Sequence, residues 1–213
     1  MKLRTKIYFR LKNYPYNMTA ERMVEIPFII KNLPLDKNKM ILDVGCDESI
    51  LPVMLCSYGY NVFGIDINQY NFKHPKFRFE KINLCKLKDV KNSTYDIVIS
   101  MSTIEHMGLG YYGEDNCSQS EAFDVIYDIL KEEGMFILTV PFGKYSENKL
   151  QRVYNKEMLN KVLKKFKISK LEFYMKEGNI WIPCLYSSIE NLDSTDSTNG
   201  IACIVCQKVK NST

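Results

Sequence analysis

Two acidic residues at the ends of apolar segments are the first groups in this sequence that suggest chemistry. Residues 39–45 read KMILDVG, so an apolar run ends in Asp43 and Gly45, and Asp66 ends the next apolar segment 21 positions after Gly45. This pattern is typical of a buried parallel strand that leads into a tight turn, where glycine lets the backbone approach a ligand closely. An acid about 20 residues after such a turn is suited to binding two ribose hydroxyls. The pattern therefore predicts an adenosine-binding site.

The charge around this turn distinguishes between two kinds of adenosine ligand. A pyrophosphate needs the full G-x-G-x-x-G pattern with its dense row of free backbone amides. Here the glycines are few, and three acids, Asp43, Asp47 and Glu48, surround the turn. These carboxylates would repel a diphosphate and attract a ligand that carries an ammonium and a sulfonium. The turn therefore favours S-adenosylmethionine as the cofactor over a dinucleotide.

One of the two histidines in the chain follows a predicted central strand. His106 stands beside Glu105, shortly after the apolar segment 95–101. A hydroxyl acceptor must lose its proton, and a histidine with a near-neutral pKa is suited to take it. We predict that His106 is the general base and that Glu105 orients it or binds the acceptor. The alternative is that His106 caps the strand end and packs beneath the following loop, 108–113, whose tyrosines could stack on a sugar or form a plain lid.

The elements that must position these groups alternate along the chain. Strands are predicted at 39–45, 61–66, 77–82, 95–101, 135–140, 170–175 and 201–206. Helices are predicted at 50–58, from the capping box Ser118–Glu121 to a closing Gly134, and around 158–166. This order predicts an α/β fold, a mostly parallel seven-stranded sheet with an antiparallel edge strand and helices on both faces.

Domain organisation follows from the same pattern. We expect a single Rossmann-like domain over residues 1–213, in which a helical segment, 1–38, covers the cofactor site and 39–213 form the α/β core. The chain has no run approaching the ~20 apolar residues of a membrane span. The predicted location is the cytoplasm, with mostly buried, reduced thiols among the seven cysteines. Cys203 and Cys206 should face opposite sides of a strand, and no metal site is expected.

The net charge of +4 is too small to indicate a nucleic-acid partner. Its distribution is uneven. Residues 1–40 hold nine Lys/Arg against three Asp/Glu and residues 143–176 hold ten against three, whereas residues 41–142 hold eight against fifteen. The basic flanks could face an anionic acceptor, or they could be solvated lysine-rich helix faces.

Several segments together resemble a known family. The chain resembles the successive motifs of class I S-adenosylmethionine-dependent methyltransferases at ILDVGC (41–46), GID (64–66), YDIVIS (95–100) and GMFILTVP (134–141). A narrower bacterial and archaeal subgroup, often found with glycan-assembly enzymes, resembles VEIPF (24–28), STIEHMGLG (102–110) and RVY (152–154). The resemblance extends over residues 20–182.

The resemblance implies roles for particular positions. The implied cofactor contacts are Asp43, Gly45 and Cys46 around the methionine moiety, Asp66 on the ribose with Ile67 beside the adenine, Asn83 and Leu84 at the adenine edge, and Met101 along the cofactor. The sequence departs from the family at Asp47 and Ser49, where relatives usually have glycine or another small residue.

The predicted function is therefore S-adenosylmethionine-dependent methyl transfer, by O-methylation of a sugar, an anionic glycan intermediate or another small polar acceptor. An RNA or protein methyltransferase and a catalytically inactive cofactor-binding or partner protein are the alternatives. A nicotinamide oxidoreductase is disfavoured by the missing glycines. The sequence leaves the oligomeric state open.

Overall fold

The structure is a computed structural model, and it describes residues 21–47, 49–89, 94–112, 117–195 and 197–209. Ten strands are described: β1 Met40–Val44, β2 Asn61–Asp66, β3 Phe77–Lys81, β4 Tyr95–Met101, β5 Leu130–Pro141, β6 Ser146–Glu147, β7 Arg152–Val153, β8 Phe166–Glu177, β9 Ile180–Cys184 and β10 Gly200–Lys208. The α-helices are α1 Arg22–Asn32, α2 Leu51–Ser57, α3 Gln119–Ile129, α4 Lys156–Val162 and α5 Tyr186–Ile189. Two 3₁₀ turns lie at Leu84–Asp89 and Ile104–His106.

Eight of the described strands form one mixed sheet in the order β3-β2-β1-β4-β5-β10-β8-β9, while β6 and β7 pair separately. The five strands from β3 to β5 are parallel, and β10 is antiparallel to both of its neighbours. The chain builds β1 to β3 on one side and then crosses to β4 on the other. The strand order thus reverses between β1 and β4, which is where open α/β sheets bind ligands beyond the carboxyl ends of their strands.

The expected count of seven strands is wrong by one. The eighth strand, β9, pairs antiparallel with β8 at the sheet edge. It was missed because it is short, contains Pro183 and has no fully buried side chain, so it lacks the apolar run that marks the central strands. The antiparallel edge that was expected is present, but three antiparallel pairings make it up: β10 pairs with β5 and with β8, and β9 pairs with β8.

Helices cover both faces of the sheet and divide the core in two. On one face, Phe28 of α1 and Leu51 of α2 pack over the isoleucines of β1 and β4. On the other face, Phe123 of α3 and Leu159 of α4 pack over the alternate side chains of the same strands. This alternation follows from the two-residue period of a strand, which sends neighbouring side chains to opposite faces.

The capping box at Ser118 and Glu121 is confirmed, and it begins α3. The helix ends at Ile129, however, so Gly134 does not close it as expected. Gly134 instead lies within β5, where its neighbour Glu133 has a φ of 61°. A Cβ at Gly134 would stand only 2.7 Å from the carbonyl oxygen of Lys131. Close backbone approach explains this glycine better than helix termination does.

The cysteines depart from the expected reduced state at one pair. Cys85 and Cys117 form a disulfide, so the expectation of reduced thiols is wrong for these two residues. The other five cysteines are free. Cys203 and Cys206 belong to the cores on opposite faces of the sheet, as predicted. Among the described residues, no helix has the length and apolar character needed to cross a membrane.

Candidate active site at the carboxyl ends of the central strands

Asp43 is a buried acid at the end of β1. It is 2% exposed, and its Oδ2 atom has no hydrogen-bond partner. Burial, together with the nearby charge of Asp66, raises the pKa of Asp43 to about 8. Gly45 follows with a φ of +75°, and a Cβ there would overlap the side chain of Thr103. The strand therefore ends in an unsatisfied carboxyl group and a turn that only glycine fits.

Asp66 lies at the end of the neighbouring strand β2, and backbone amides hold its carboxylate. Asp47 N–H donates to Oδ2 at 2.9 Å and Asn68 N–H donates to Oδ1 at 2.8 Å, and Ile67 N–H also bonds to this carboxylate. A carboxylate has about four acceptor sites, so these contacts do not use all of them. The pKa of Asp66 is raised, chiefly by burial. Ile67 follows and is partly exposed.

The two departures from the family pattern have local structural roles. The backbone of Asp47 positions Asp66, and Ser49 Oγ accepts a hydrogen bond from Leu51 N–H at the start of α2. The Ser49 carbonyl accepts a further bond from the Tyr70 hydroxyl at 2.6 Å. Neither residue obstructs the turn at Gly45. Glu48 lies outside the described residues.

The remaining predicted cofactor positions differ in their exposure. Asn83 is partly exposed after β3, and its Oδ1 accepts a hydrogen bond from Cys85 N–H at 2.9 Å. Cys46, Leu84 and Met101 are buried. Burial also raises the pKa of the Cys46 thiol, so it stays protonated.

His106 lies in the 3₁₀ turn after β4, and its ring is held in a defined orientation. Nδ1 lies 2.6 Å from the backbone carbonyl oxygen of Leu150, which can only accept a hydrogen bond. Nδ1 therefore carries the proton, and in the neutral ring Nε2 holds the free lone pair. Burial lowers the pKa of His106, which favours this neutral form. Tyr112 meets the ring edge-on, with 5.5 Å between the ring centroids.

Glu105 is 1% exposed, and its Oε2 atom has no hydrogen-bond partner. Its Oε1 atom is 3.8 Å from His106 Nε2, which is too long for a hydrogen bond. The Leu150 carbonyl rather than Glu105 thus fixes the imidazole ring. Burial, reinforced by the charge of Glu25, raises the pKa of Glu105 to about 8.

Helix α1 closes over these groups through a buried polar network. Glu25 is fully buried and pairs with Arg22 in the preceding turn. Its Oε1 atom accepts hydrogen bonds from Ser102 Oγ at 2.5 Å and from Thr139 Oγ1 at 2.6 Å. The helix continues through Pro27. Glu25 therefore joins α1 to the ends of β4 and β5.

Arg22 lies close enough to act electrostatically on both halves of the site. Burial is the main influence on three pKa values in the site: it raises those of Asp43 and Glu105 and lowers that of His106. The positive charge of Arg22 contributes a smaller lowering of all three. A guanidinium in this position is a natural partner for a ligand carboxylate. The sequence predicted only that a helical segment, 1–38, covers the cofactor site. Ser102 and Thr139, the partners of Glu25, carry no signal by which a sequence pattern could find them.

Two residues of the segment 152–154 have structural roles. Arg152 is buried, with its guanidinium bonded to Glu147 and to the carbonyl of Met107. Tyr154 is fully buried, and its hydroxyl is bonded to the side chain of Gln119. Neither side chain is available to an acceptor. Of the loop 108–113, Gly113 lies outside the described residues.

Comparison with known proteins agrees with this geometry. Residues 42–138 match the family model described as "Methyltransferase domain". A curated relative, "Ubiquinone biosynthesis O-methyltransferase" of Pelagibacter ubique, is 32% identical over 80 residues, which cover 33% of this chain and 32% of the relative. The chain thus spans about a third of the length of this relative.

Solved structures resemble the chain over most of its length. A SAM-dependent methyltransferase from Methanosarcina mazei superposes with a TM-score of 0.62 at 16% identity, covering 87% of this chain and 98% of that one. The Burkholderia thailandensis 1,6-didemethyltoxoflavin-N1-methyltransferase, solved with S-adenosylhomocysteine, superposes with a TM-score of 0.60 at 12% identity, covering 98% and 88%.

Residues 42–138 therefore match a methyltransferase domain, and the chain has the fold of solved S-adenosylmethionine-dependent methyltransferases. The O-methyltransferases of ubiquinone biosynthesis are among the relatives that match in sequence.

Proposed function

We propose that this protein transfers a methyl group from S-adenosylmethionine to a hydroxyl oxygen of a small polar acceptor. The observation that carries the proposal is the unsatisfied carboxyl group of Asp43 beside the turn at Gly45. A buried polar atom without a partner is costly unless a ligand satisfies it. The ammonium group of the cofactor would do so, and the turn leaves its backbone free for close approach.

The residues around Asp43 fit the other parts of the cofactor. The carboxylate of Asp66 has acceptor capacity left for the ribose hydroxyls, and the Asn83 side chain borders the adenine edge. Arg22 would bind the carboxylate. When bound, the cofactor supplies a methyl group that is already activated by a sulfonium. The protein then has to align the acceptor, exclude water and remove a proton.

His106 is proposed to remove that proton. Its Nε2 atom holds the free lone pair because Nδ1 donates to the Leu150 carbonyl. Burial lowers the pKa of His106, so the ring is unprotonated at neutral pH. Glu105, whose pKa of about 8 keeps it mostly protonated at that pH, can donate a hydrogen bond from its unsatisfied carboxyl group to the acceptor.

An oxygen acceptor is supported by the names of three curated relatives, which are O-methyltransferases, whereas two others are named cyclopropane mycolic acid synthase. The sugar or glycan intermediate expected from the sequence stays a prediction, and so do the RNA or protein acceptor and the inactive role. Tyr111 and Tyr112 are exposed near His106 and would contact a ring-shaped acceptor. We retain the cytoplasmic location and the single-domain arrangement over residues 1–213 as parts of the proposal.

Calorimetric titration with S-adenosylhomocysteine tests the cofactor site directly. Because Asp66 is proposed to bind both ribose hydroxyls, we expect Asp66→Asn to weaken binding by about 10- to 100-fold, in line with the ~1.5–3 kcal/mol of a charged hydrogen bond. The matched control is Asp36→Asn, a change of an exposed acid in the segment before β1. Unchanged affinity in Asp66→Asn, or no binding to the wild type, would exclude the proposed cofactor site.

A further inference from the structure

The Cys85–Cys117 disulfide connects segments that border opposite parts of the proposed site. We propose that it is a redox-sensitive cross-link, or tie, between the turn after β3 on the cofactor side and the start of α3 on the acceptor side. When the disulfide is oxidised it holds these two segments together, and when it is reduced the cofactor binds more weakly. This inference rests on the proposed function, because it assumes that the cofactor occupies the ends of β1 and β2. The two cysteines are 32 positions apart in the sequence.

Cys85 belongs to the cofactor side. It follows Asn83 and Leu84 in the 3₁₀ turn after β3, and its N–H donates to the Asn83 side chain at 2.9 Å. One residue before Asn83, Ile82 N–H donates to the Asp66 carbonyl at 2.8 Å. Two hydrogen bonds, made by the neighbouring residues Ile82 and Asn83, therefore connect Cys85 to the acid that is proposed to hold the ribose.

Cys117 belongs to the acceptor side. It is fully buried and directly precedes Ser118, which caps α3. The backbone of Gly108 packs against this point, since a Cβ at Gly108 would lie 3.4 Å from Ser118 Cα and 3.6 Å from the Cys117 carbonyl oxygen. Gly108 is two residues after His106. The position of Cys117 thus bears on the segment that carries the proposed base.

The exposure of Cys85 suits exchange chemistry. Cys117 is fully buried, whereas Cys85 is partly exposed and open to a small reagent. A thiolate of an external dithiol can attack Cys85 Sγ, forming a mixed disulfide while Cys117 leaves as a thiolate and takes up a proton. The second thiol of the reagent then displaces Cys85. Two electrons pass to the protein, which gains two thiols, and the dithiol becomes a disulfide.

The consequence for binding follows from the geometry. In the oxidised protein the turn at Cys85 is already fixed relative to α3, so binding orders little additional chain. After the disulfide is reduced, the turn at Cys85 has to become ordered relative to α3 when the cofactor binds, and this cost lowers the affinity. The coupling expected between two such sites corresponds to about a 5- to 20-fold change in affinity.

The test uses the full chain and S-adenosylhomocysteine as the probe. Thiol titration after denaturation should count five thiols in the oxidised protein and seven after dithiothreitol treatment, since the chain holds seven cysteines. Calorimetry should then show weaker binding to the reduced form. Cys85→Ser should bind like the reduced wild type and should not respond to dithiothreitol. Cys184→Ser, which alters the partly exposed free cysteine, should respond as the wild type does.

The outcomes separate this proposal from the proposed function. Equal affinity in the two oxidation states, or failure to obtain the five-thiol form with oxidised glutathione, would overturn the tie. Binding to neither form would overturn the cofactor site and the tie together. Redox-dependent binding without methylation of any hydroxyl acceptor would support the tie and contradict methyl transfer. If Cys85→Ser does not fold, the dithiothreitol titration of the wild type gives the same comparison.

Discussion

At the scale of single residues, the proposed chemistry depends on where one proton resides. A histidine near a carboxylate is usually pictured with the carboxylate orienting the ring, but here Glu105 is too distant to do so. Nδ1–H donates a hydrogen bond to the Leu150 carbonyl instead. Because a carbonyl cannot donate, this contact specifies the tautomer, and Nε2 is left as the basic atom.

We expect His106→Ala to lower kcat by about 10²- to 10⁴-fold, the usual contribution of a general base, with the affinity for S-adenosylhomocysteine unchanged within about twofold because the ring does not form the cofactor site. The measurement is initial-rate kinetics with a hydroxyl acceptor that the wild type methylates, alongside calorimetry. His74→Ala, which removes the other histidine of the chain, is the control.

The pH dependence provides a second readout for the same residue. Burial lowers the pKa of His106 below its ordinary value of 6.5, so on acidification the wild-type rate should begin to fall only below pH 6.5. A full rate in His106→Ala, or a fall that begins above pH 7, would exclude His106 as the base.

The residues that could be predicted from sequence are those whose chemistry is tied to a local pattern. Gly45 and Asp66 were identified because an apolar strand followed by an acid or a glycine has one common use at a sheet edge. Leu150 and Thr139 could not be identified. Each contributes through a contact with a residue distant in the chain, and nothing in the neighbouring sequence specifies that contact.

At the scale of elements, the arrangement of α1 matters most for the site. This helix places Arg22 over the cofactor positions, and Glu25 fixes it there by bonding to Ser102 and Thr139. Removing one member of a buried charged network leaves the others unpaired, which costs more than the loss of a surface ion pair. The docking of α1 should therefore be sensitive to Glu25.

We expect Glu25→Ala to lower the free energy of unfolding by about 3–5 kcal/mol, the usual cost of breaking a buried pair. Lys31→Ala is the matched control on the same helix, because it removes the partly exposed ion pair to Glu172 and should cost under about 1 kcal/mol. Urea denaturation monitored by circular dichroism measures both. Losses of similar size in the two variants would show that the network does not anchor α1.

The strands and helices with the clearest apolar patterns in the sequence were predicted most accurately. The central strands β2 and β4 have the predicted bounds, since a buried parallel strand reads as a continuous apolar run. The edge strand β9 and the end of α3 were not predictable. The first lacks buried side chains, and the second ends five residues before the glycine that was expected to stop it. The disulfide depended on tertiary proximity that spacing does not reveal.

At the scale of the whole molecule, Asp43 and Glu105 give the stability an unusual pH dependence. Both have a folded-state pKa of about 8 because they are buried, whereas in the unfolded chain they titrate near pH 4. Between those values the folded state binds more protons than the unfolded state, so stability falls as the pH rises and levels off above about pH 8. His106, whose pKa is lowered by burial, acts in the opposite sense but mainly at or below pH 6.5.

The free energy of unfolding of the unliganded protein should therefore decrease from pH 6.5 to pH 8, with each acid contributing up to about 1.4 kcal/mol per pH unit. Glu105→Gln removes one of the two titrating groups with little change in shape, and it should roughly halve this slope. The control is Glu157→Gln on α4, which alters an exposed carboxylate and should leave the slope unchanged. Urea denaturation at pH 6.5, 7, 7.5 and 8 measures it. A slope in Glu105→Gln equal to that of the wild type would mean that the buried carboxyl group beside His106 is already ionised at neutral pH, and it could not then donate a hydrogen bond to an acceptor.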